Sequence, residues 1–346
     1  MRVLVTGGAG FIGTRVVAAL REQGHEIRVL DALLPAVHGG RRPVLPEGVE
    51  FVHGDVRDPG TVEAALGGVD VVCHQAAMVG RGHHVSEAPE YAAINDMGTA
   101  ILLAAMARAG LGRLVFASSV VVYGEGVYTC AEHGRVSPGP RTRADVDAGR
   151  FDPPCPRCGA ALRPGELSED DRLAPLNVYG ATKLAQEHLA GAWARETGGM
   201  AIALRYHQVY GPGMSHDSPY SGVTCVFRSA VRNGETIELY EDGAMLRDFI
   251  HVRDIALANV NAIGLDRPGF RAYNVATGTP RTVGQLARTL AELSAGPAPK
   301  VSGRCRFDDV RHIVASPARL KRELGWEPTV SFEDGMKEFV TAPMRA

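Results

Sequence analysis

The chain has no long apolar run, no block of like charges and no regular cysteine framework, and each lack removes a class of protein. None of its 346 residues lies in a window apolar enough to span a bilayer. Lysine and arginine number 37 against 39 aspartates and glutamates, a formal net charge of -2 without like-charge runs. A surface for nucleic acid or anionic lipid is therefore not expected, and the partners should be small molecules. Six cysteines are too few for a disulfide-built scaffold. Three of them fall between positions 130 and 158, and in a reducing compartment such clustering points to metal. Met1 leads straight into Val3-Leu4-Val5 and then glycines, with neither a charged leader nor a cleavage site, so the cytoplasm is the expected location.

What is present is an ordinary globular composition, 45% hydrophobic, in a chain long enough for two lobes. Apolar runs at Arg2-Val5, Ile27-Leu30, Val69-Cys73, Arg113-Ala117 and Ala201-Arg205 alternate with helical patterns at Phe11-Gln23, Thr99-Arg108 and Tyr179-Arg195. This predicts an α/β fold: a doubly wound parallel sheet, with chemistry at the carboxyl ends of its strands. The expected division is a dinucleotide-binding domain over 1–206 and a smaller mixed α/β substrate lobe over 207–346. Residues 126–171, rich in Gly, Pro, Arg and Asp and without apolar periodicity, read as a coreless insertion.

The first strand runs into Gly7-Gly8-Ala9-Gly10-Phe11-Ile12-Gly13, where absent side chains let backbone amides approach a pyrophosphate at a helix N-terminus. The next strand ends at Asp31, eighteen residues after Gly13, placed to accept from an adenosine ribose hydroxyl and to repel a 2′-phosphate. NAD is thus favoured over NADP, with Asp55-Val56 beside the adenine. Ser118-Ser119 closes a later strand, and Tyr179 and Lys183, four apart, share one helix face. A lysine there can lower the phenol's pKa and hold a nicotinamide ribose while the phenolate takes a proton and Ser119 orients the hydroxyl.

With these residues in view, the chain resembles the extended short-chain dehydrogenase/reductase family, in particular its NAD-dependent nucleotide-sugar epimerases. The likeness extends to His74-Gln75-Ala76-Ala77, Asn95 with Gly98-Thr99, Leu204-Arg205-Tyr206, Val209-Tyr210-Gly211-Pro212-Gly213 and Arg247-Asp248-Phe249-Ile250-His251-Val252. It implies cofactor contacts from Ala76, Ala77, Asn95, Ser118, Tyr206 and Val209, and substrate contacts from Gln208 and Val223. It also implies that Arg247 and Arg311 clamp the diphosphate of a nucleotide sugar, as guanidinium forks can. Two departures stand out: His207-Gln208 where relatives carry Phe-Asn or Gln-Asn, and Gln75 where many carry an apolar residue.

Oxidation of a sugar hydroxyl can end in hydride return to the other face, in elimination, or in release of a ketone. Dehydrating relatives carry an Asp-Glu pair after the serine, whereas Ser119 is followed by Val120-Val121, which cannot transfer protons. The resemblance therefore implies a 4-epimerase working through a transient 4-keto sugar. A 4-ketoreductase stands as the alternative within redox chemistry, and a non-catalytic NAD-sensing scaffold as the alternative outside it.

Inside the insertion, Cys130-x-x-His133 and Cys155-x-x-Cys158 stand twenty-one residues apart, each followed by a glycine. Four such ligands suit a closed structural zinc site; unligated thiols and a redox pair are the other readings. Cys73, Cys225 and Cys305 are expected to be ordinary buried thiols. The paired knuckle, with Ser218-Pro219-Tyr220-Ser221-Gly222-Val223, also resembles dTDP-L-rhamnose 4-epimerases, which implies a dTDP-6-deoxyhexose, with UDP-glucose, UDP-galactose and UDP-glucuronate as other candidates. Relatives commonly dimerise, and Thr99-Arg108 with Leu184-Arg195 could supply a homodimer contact.

Overall fold

Seven short runs form one parallel sheet: β1 (Arg2–Thr6), β2 (Glu26–Asp31), β3 (Glu50–His53), β4 (Val71–His74), β5 (Arg113–Ser119), β6 (Met200–Tyr206) and β7 (Gly269–Val275). Their spatial order is β7-β6-β5-β4-β1-β2-β3, so chain order reverses between β1 and β4 and a crevice opens there at the strands' carboxyl ends. This computed structural model describes residues 1–39, 44–80, 85–139, 141–215, 222–305 and 309–345. Ser218, Pro219, Tyr220 and Ser221 of the rhamnose-type motif lie outside the described residues.

Strand alternation feeds two cores. Val3, Val5, Val71, Cys73, Ile202 and Leu204 face one side, covered by α1 (Phe11–Glu22) and a helix at Val252–Ile263. Leu4, Val72, Ala201 and Ala203 face the other, covered by helices at Gly98–Arg108 and Val178–Thr197. With both faces buried, the strands carry no polar alternation, which explains their near-continuous apolar reading. The small Ala201 and Ala203 let the helix at Val178–Thr197 approach closely through Ala190 and Ala194. A third core, around Phe227, Leu239, Phe249, Leu286, Leu290 and Phe339, holds the second lobe.

The chain beyond 206 serves both lobes. β7 pairs in parallel with β6 over its whole length, and Ile255, Leu320 and Trp326 pack into the first core. Nor is the insertion coreless: Tyr128–Cys130 pairs antiparallel with Gly134–Val136 and Arg163–Pro164 over a core of Tyr128, Cys130, Val136, Cys155 and Leu162. Two of those five residues are thiols of the Cys/His cluster, so a hydrophobic count alone misses this core. Among the described residues no helix is long and apolar enough to cross a membrane.

Beneath the crevice lies a buried ion pair. Arg205 on β6 donates to Glu187 through Nε (2.9 Å) and Nη2 (2.7 Å), and Ser118 Oγ donates to the same carboxylate at 2.5 Å. Arg205 Nη1 also donates to the Tyr123 hydroxyl (2.7 Å), which donates to Asn274 on β7 (2.7 Å). Glu187→Ala would strand the guanidinium without its partner, so we expect a loss of about 3–5 kcal/mol in chemical denaturation, with Glu187→Gln costing less.

Candidate active site

The glycine turn is fixed by close approach. Gly7 has φ +66°, and a Cβ there would stand 2.5 Å from Ala76 N; a Cβ on Gly13 would stand 2.1 Å from Gly7 O. The backbone is thereby open to a phosphate at the start of α1. Asp31, at the end of β2, accepts from Ala9 N (3.0 Å) and Leu33 N (2.9 Å), with His38 Nε2 at 3.5 Å. Burial alone would raise its pKa, but the bond from His38 and the two backbone bonds outweigh it and hold the carboxyl below its usual range. His38 is a neighbour that sequence reading missed, because it sits on a short turn helix without any motif.

A cavity of about 540 Å³ runs from this turn to the second lobe. Along its nucleotide end lie Gly10, Phe11, Ile12, Asp55 and Val56, followed by Ala76 and Ala77. Its middle is lined by Ser118, Ser119, Tyr179, Lys183, Tyr206 and Val209, and its far end by Gln208, Val223 and Arg247.

Two expected site residues are not at the cavity. Asn95 is fully buried: it accepts from Met78 N (2.8 Å) and donates to Met78 O and Thr182 Oγ1, so it shapes the loop after β4 instead of facing a ligand. Arg311 is equally committed. Its guanidinium is bonded to Asp152 (2.8 Å), Glu241 (2.9 Å) and Asp242 (2.7 Å) and is 1% exposed. Arg247, by contrast, lines the cavity with its guanidinium bonded to the carbonyls of Leu246 (2.8 Å), Arg311 (3.1 Å) and Val310 (2.7 Å).

Ser119, Tyr179 and Lys183 converge because of how the helix at Val178–Thr197 begins. Asn177 caps it by accepting from Gly180 N at 2.8 Å. Gly180 packs so closely that a Cβ would stand 2.9 Å from Pro175 Cβ and 3.1 Å from Val121 O, on the turn that follows Ser119. Burial pushes the Tyr179 phenol up to about 12, against the lowering effect of its hydrogen bond with Ser119. The lysine does not act on the phenol as expected. Lys183 Nζ donates to Ala117 O (2.8 Å) and Gln186 Oε1 (2.9 Å), and burial, opposed by Glu187 and Asp96, brings it down to about 7. Gln186 in turn donates to Thr99 Oγ1, which meets His74 Nε2 at 3.1 Å, while His74 Nδ1 meets Thr6 Oγ1 at 2.6 Å. This buried chain gives the His74 and Thr99 motif positions a physical purpose: they fix the lysine.

The two departures also have places. Gln75 closes a ring with Asn259 (3.0 Å) and Tyr206 (3.1 Å) at the cavity wall, where an apolar residue would leave Asn259 short of a donor. His207 lines the cavity with its Nε2 buried and unpartnered among the described residues, and burial lowers its pKa to about 4.

Away from the cavity, the ligand atoms of Cys130, His133, Cys155 and Cys158 lie within 4.8 Å of one another. The Cys130–Cys158 edge is 3.7 Å and the His133 edges to Cys130 and Cys155 are 3.6 and 3.7 Å. A tetrahedron with Zn–S bonds of about 2.3 Å has edges of roughly 3.8 Å, so this donor set fits zinc in size and chemistry. Gly134 (φ +64°) and Gly159 (φ +74°) turn the chain after each pair. Of the remaining cysteines, Cys73 and Cys225 are buried as expected, whereas Cys305 is exposed.

The sequence pattern of the NAD-dependent epimerase/dehydratase family matches residues 3–143 and 157–276. The chain is 36% identical to a dTDP-L-rhamnose 4-epimerase of Burkholderia thailandensis, over 98% of this chain and 94% of that one. It is 30% identical to a UDP-glucose 4-epimerase of Corynebacterium glutamicum, over 95% and 91% of the two chains. Among solved structures, the NAD complex of a Thermus thermophilus UDP-glucose 4-epimerase superposes with a TM-score of 0.78 at 31% identity, covering 98% of each chain. A complex of MoeE5 with UDP-glucose and NAD gives the same TM-score and identity, over 98% of this chain and 97% of that one.

The Lys183 environment gives a pH test on the protein without ligands. Its folded value near 7 lies below the ordinary 10.5, so between those values the unfolded chain binds more protons and stability rises with pH. Denaturant midpoints of the unsubstituted protein, relative to Lys183→Met, should climb with pH across that window and level off below it, where both states carry the proton.

Proposed function

Because the chain belongs to the NAD-dependent epimerase/dehydratase family, we propose that it is a nucleotide-sugar 4-epimerase acting on a dTDP-6-deoxyhexose such as dTDP-L-rhamnose. The observation that carries this reading is one cavity with a dinucleotide cradle at one end, Arg247 and Gln208 at the other, and Ser119, Tyr179 and Lys183 between them. The cradle fits NAD, since only glycine is tolerated at its two closest approaches and a carboxylate stands where an adenosine ribose would lie.

NAD⁺, when bound, supplies the hydride acceptor and later the donor. Tyr179 takes the proton of the sugar 4-hydroxyl and returns it, acting first as base and then as acid. Ser119 orients that hydroxyl, and Lys183 would hold the nicotinamide ribose. Arg247 anchors the diphosphate, so the 4-keto hexose can turn over before it is reduced on the opposite face. Val120 and Val121 line the same cavity and offer no proton-transfer group, which favours epimerisation over dehydration. The 36% identity to a dTDP-L-rhamnose 4-epimerase favours the dTDP sugar; UDP-sugars are the second reading, favoured by the Corynebacterium and Thermus relatives.

The other parts follow from the same reading. The Cys130, His133, Cys155 and Cys158 set holds a structural zinc with no open position, supported by the edge lengths and by ligands that double as core. The segments after 206 outside the sheet form the substrate lobe. Two copies pair through the helices at Gly98–Arg108 and Val178–Thr197, next to which Met97 is 57% exposed and on which Leu189 is 36% exposed.

Incubation with dTDP- and UDP-hexoses without added cofactor should give isomer mixtures; net consumption of NAD(P)H would instead identify a ketoreductase. Tyr179→Phe should retain NAD and nucleotide while interconversion falls by about 100- to 10,000-fold, and full activity would exclude Tyr179 as the base. Metal analysis should find stoichiometric zinc that Cys155→Ser removes; protein isolated without chelator and carrying only traces would exclude the zinc site.

A further inference from the structure

The insertion, with Glu125 just before it, grips the segment that holds Arg247. On that segment, Asp309 O accepts from Arg141 Nη2 (2.6 Å), Arg311 N donates to Glu125 (3.0 Å), and Asp152 Oδ1 accepts from both Arg311 Nε (2.8 Å) and His312 Nε2 (2.9 Å). Arg141 and Arg311 also share the buried Glu241, at 2.7 and 2.9 Å. The imidazole works in series. Its Nδ1 accepts from Leu246 N at 3.1 Å, so its Nε2 carries the proton and donates to Asp152. Leu246 immediately precedes Arg247, and the Val310 and Arg311 carbonyls that receive the Arg247 guanidinium belong to the gripped segment. Gly126 approaches His312 O so closely that a Cβ would stand 2.4 Å away, leaving no play at the base of the insertion.

Asp152 is three residues from Cys155, and both fall in 144–156, the stretch between the two family-matched spans. The support that Asp152 gives therefore lies outside the matched family pattern. A carboxylate half in solvent, at 59% exposure, would contribute little as a free surface group, but here it meets two donors that are themselves buried.

We infer that the Cys/His insertion is a brace for nucleotide recognition: Asp152 is a positioning residue that, through His312 and Arg311, sets the pose of Arg247 toward the diphosphate. The inference rests on the assignment of Arg247 as that anchor. It makes the knuckle a determinant of substrate affinity, with the metal acting at a distance by fixing the chain around Cys155, and it leaves the proton-transfer residues untouched.

The test uses the full chain, with dTDP as probe. Asp152→Ala should weaken dTDP binding by calorimetry about tenfold and raise KM for the sugar nucleotide alike, with NAD affinity and kcat retained. Asp152→Asn, which keeps the size and one acceptor, should lie between the two. Hydrogen exchange without nucleotide provides an independent readout: the Leu246 and Arg247 amides should exchange faster in either variant, and also after zinc is stripped from the unsubstituted protein. Unchanged exchange there, or unsubstituted dTDP affinity in a variant that folds, overturns the brace. An unsubstituted protein that binds neither dTDP nor UDP would instead remove the nucleotide-sugar reading, while the exchange data would still decide whether Asp152 positions Arg247.

Discussion

The arrangement of this molecule depends on a buried charge pair, Glu187 with Arg205, between the helix that carries Tyr179 and Lys183 and the strand beside it. Each charge in isolation would be costly to desolvate, and each is saturated: the carboxylate by Arg205 and Ser118, the guanidinium by Glu187, Tyr123 and the Glu169 carbonyl. Because Ser118 adjoins Ser119 and Glu187 lies one helical turn beyond Lys183, the pair registers helix and strand end against each other. The distances at the reactive centre inherit their rigidity from it.

A second buried chain, from Thr6 through His74, Thr99 and Gln186 to Lys183, serves the same end from the other side. The two share the property that polar groups are paired internally before any ligand is considered. Tyr179 and Lys183 are left as the strained members, one pushed up and the other down by the same desolvation. Burial thus tunes the site more strongly than any one neighbour does, which is why a lysine four residues from a tyrosine did not reveal how either would titrate.

Much of this was readable in the residues. Unbroken Val/Leu runs announced a sheet covered on both faces, and the glycine turn with Asp31 located its crevice, because those features follow from local geometry. The surroundings of Arg311 were not readable because an arginine's partners are non-local: nothing in its neighbourhood shows that Glu241, Asp242 and Asp152 converge on it from distant parts of the chain. The bonds of Asn95 to Met78 and Thr182 were hidden similarly, since its motif does not show what the side chain meets. The insertion's core escaped notice since cysteines stand in it where aliphatic side chains would ordinarily be sought.

β7 also bears on how the protein is made. All seven residues of β6 are buried, yet its outer neighbour is encoded more than sixty positions later, after much of the second lobe. While the ribosome is still producing that intervening stretch, β6 presents an unpaired apolar edge, the kind of surface that recruits strands from other chains. A nascent chain halted near residue 206 would hold nearly the whole dinucleotide fold and still be open to aggregation, so completion of the sheet waits on synthesis of the lobe that receives the sugar.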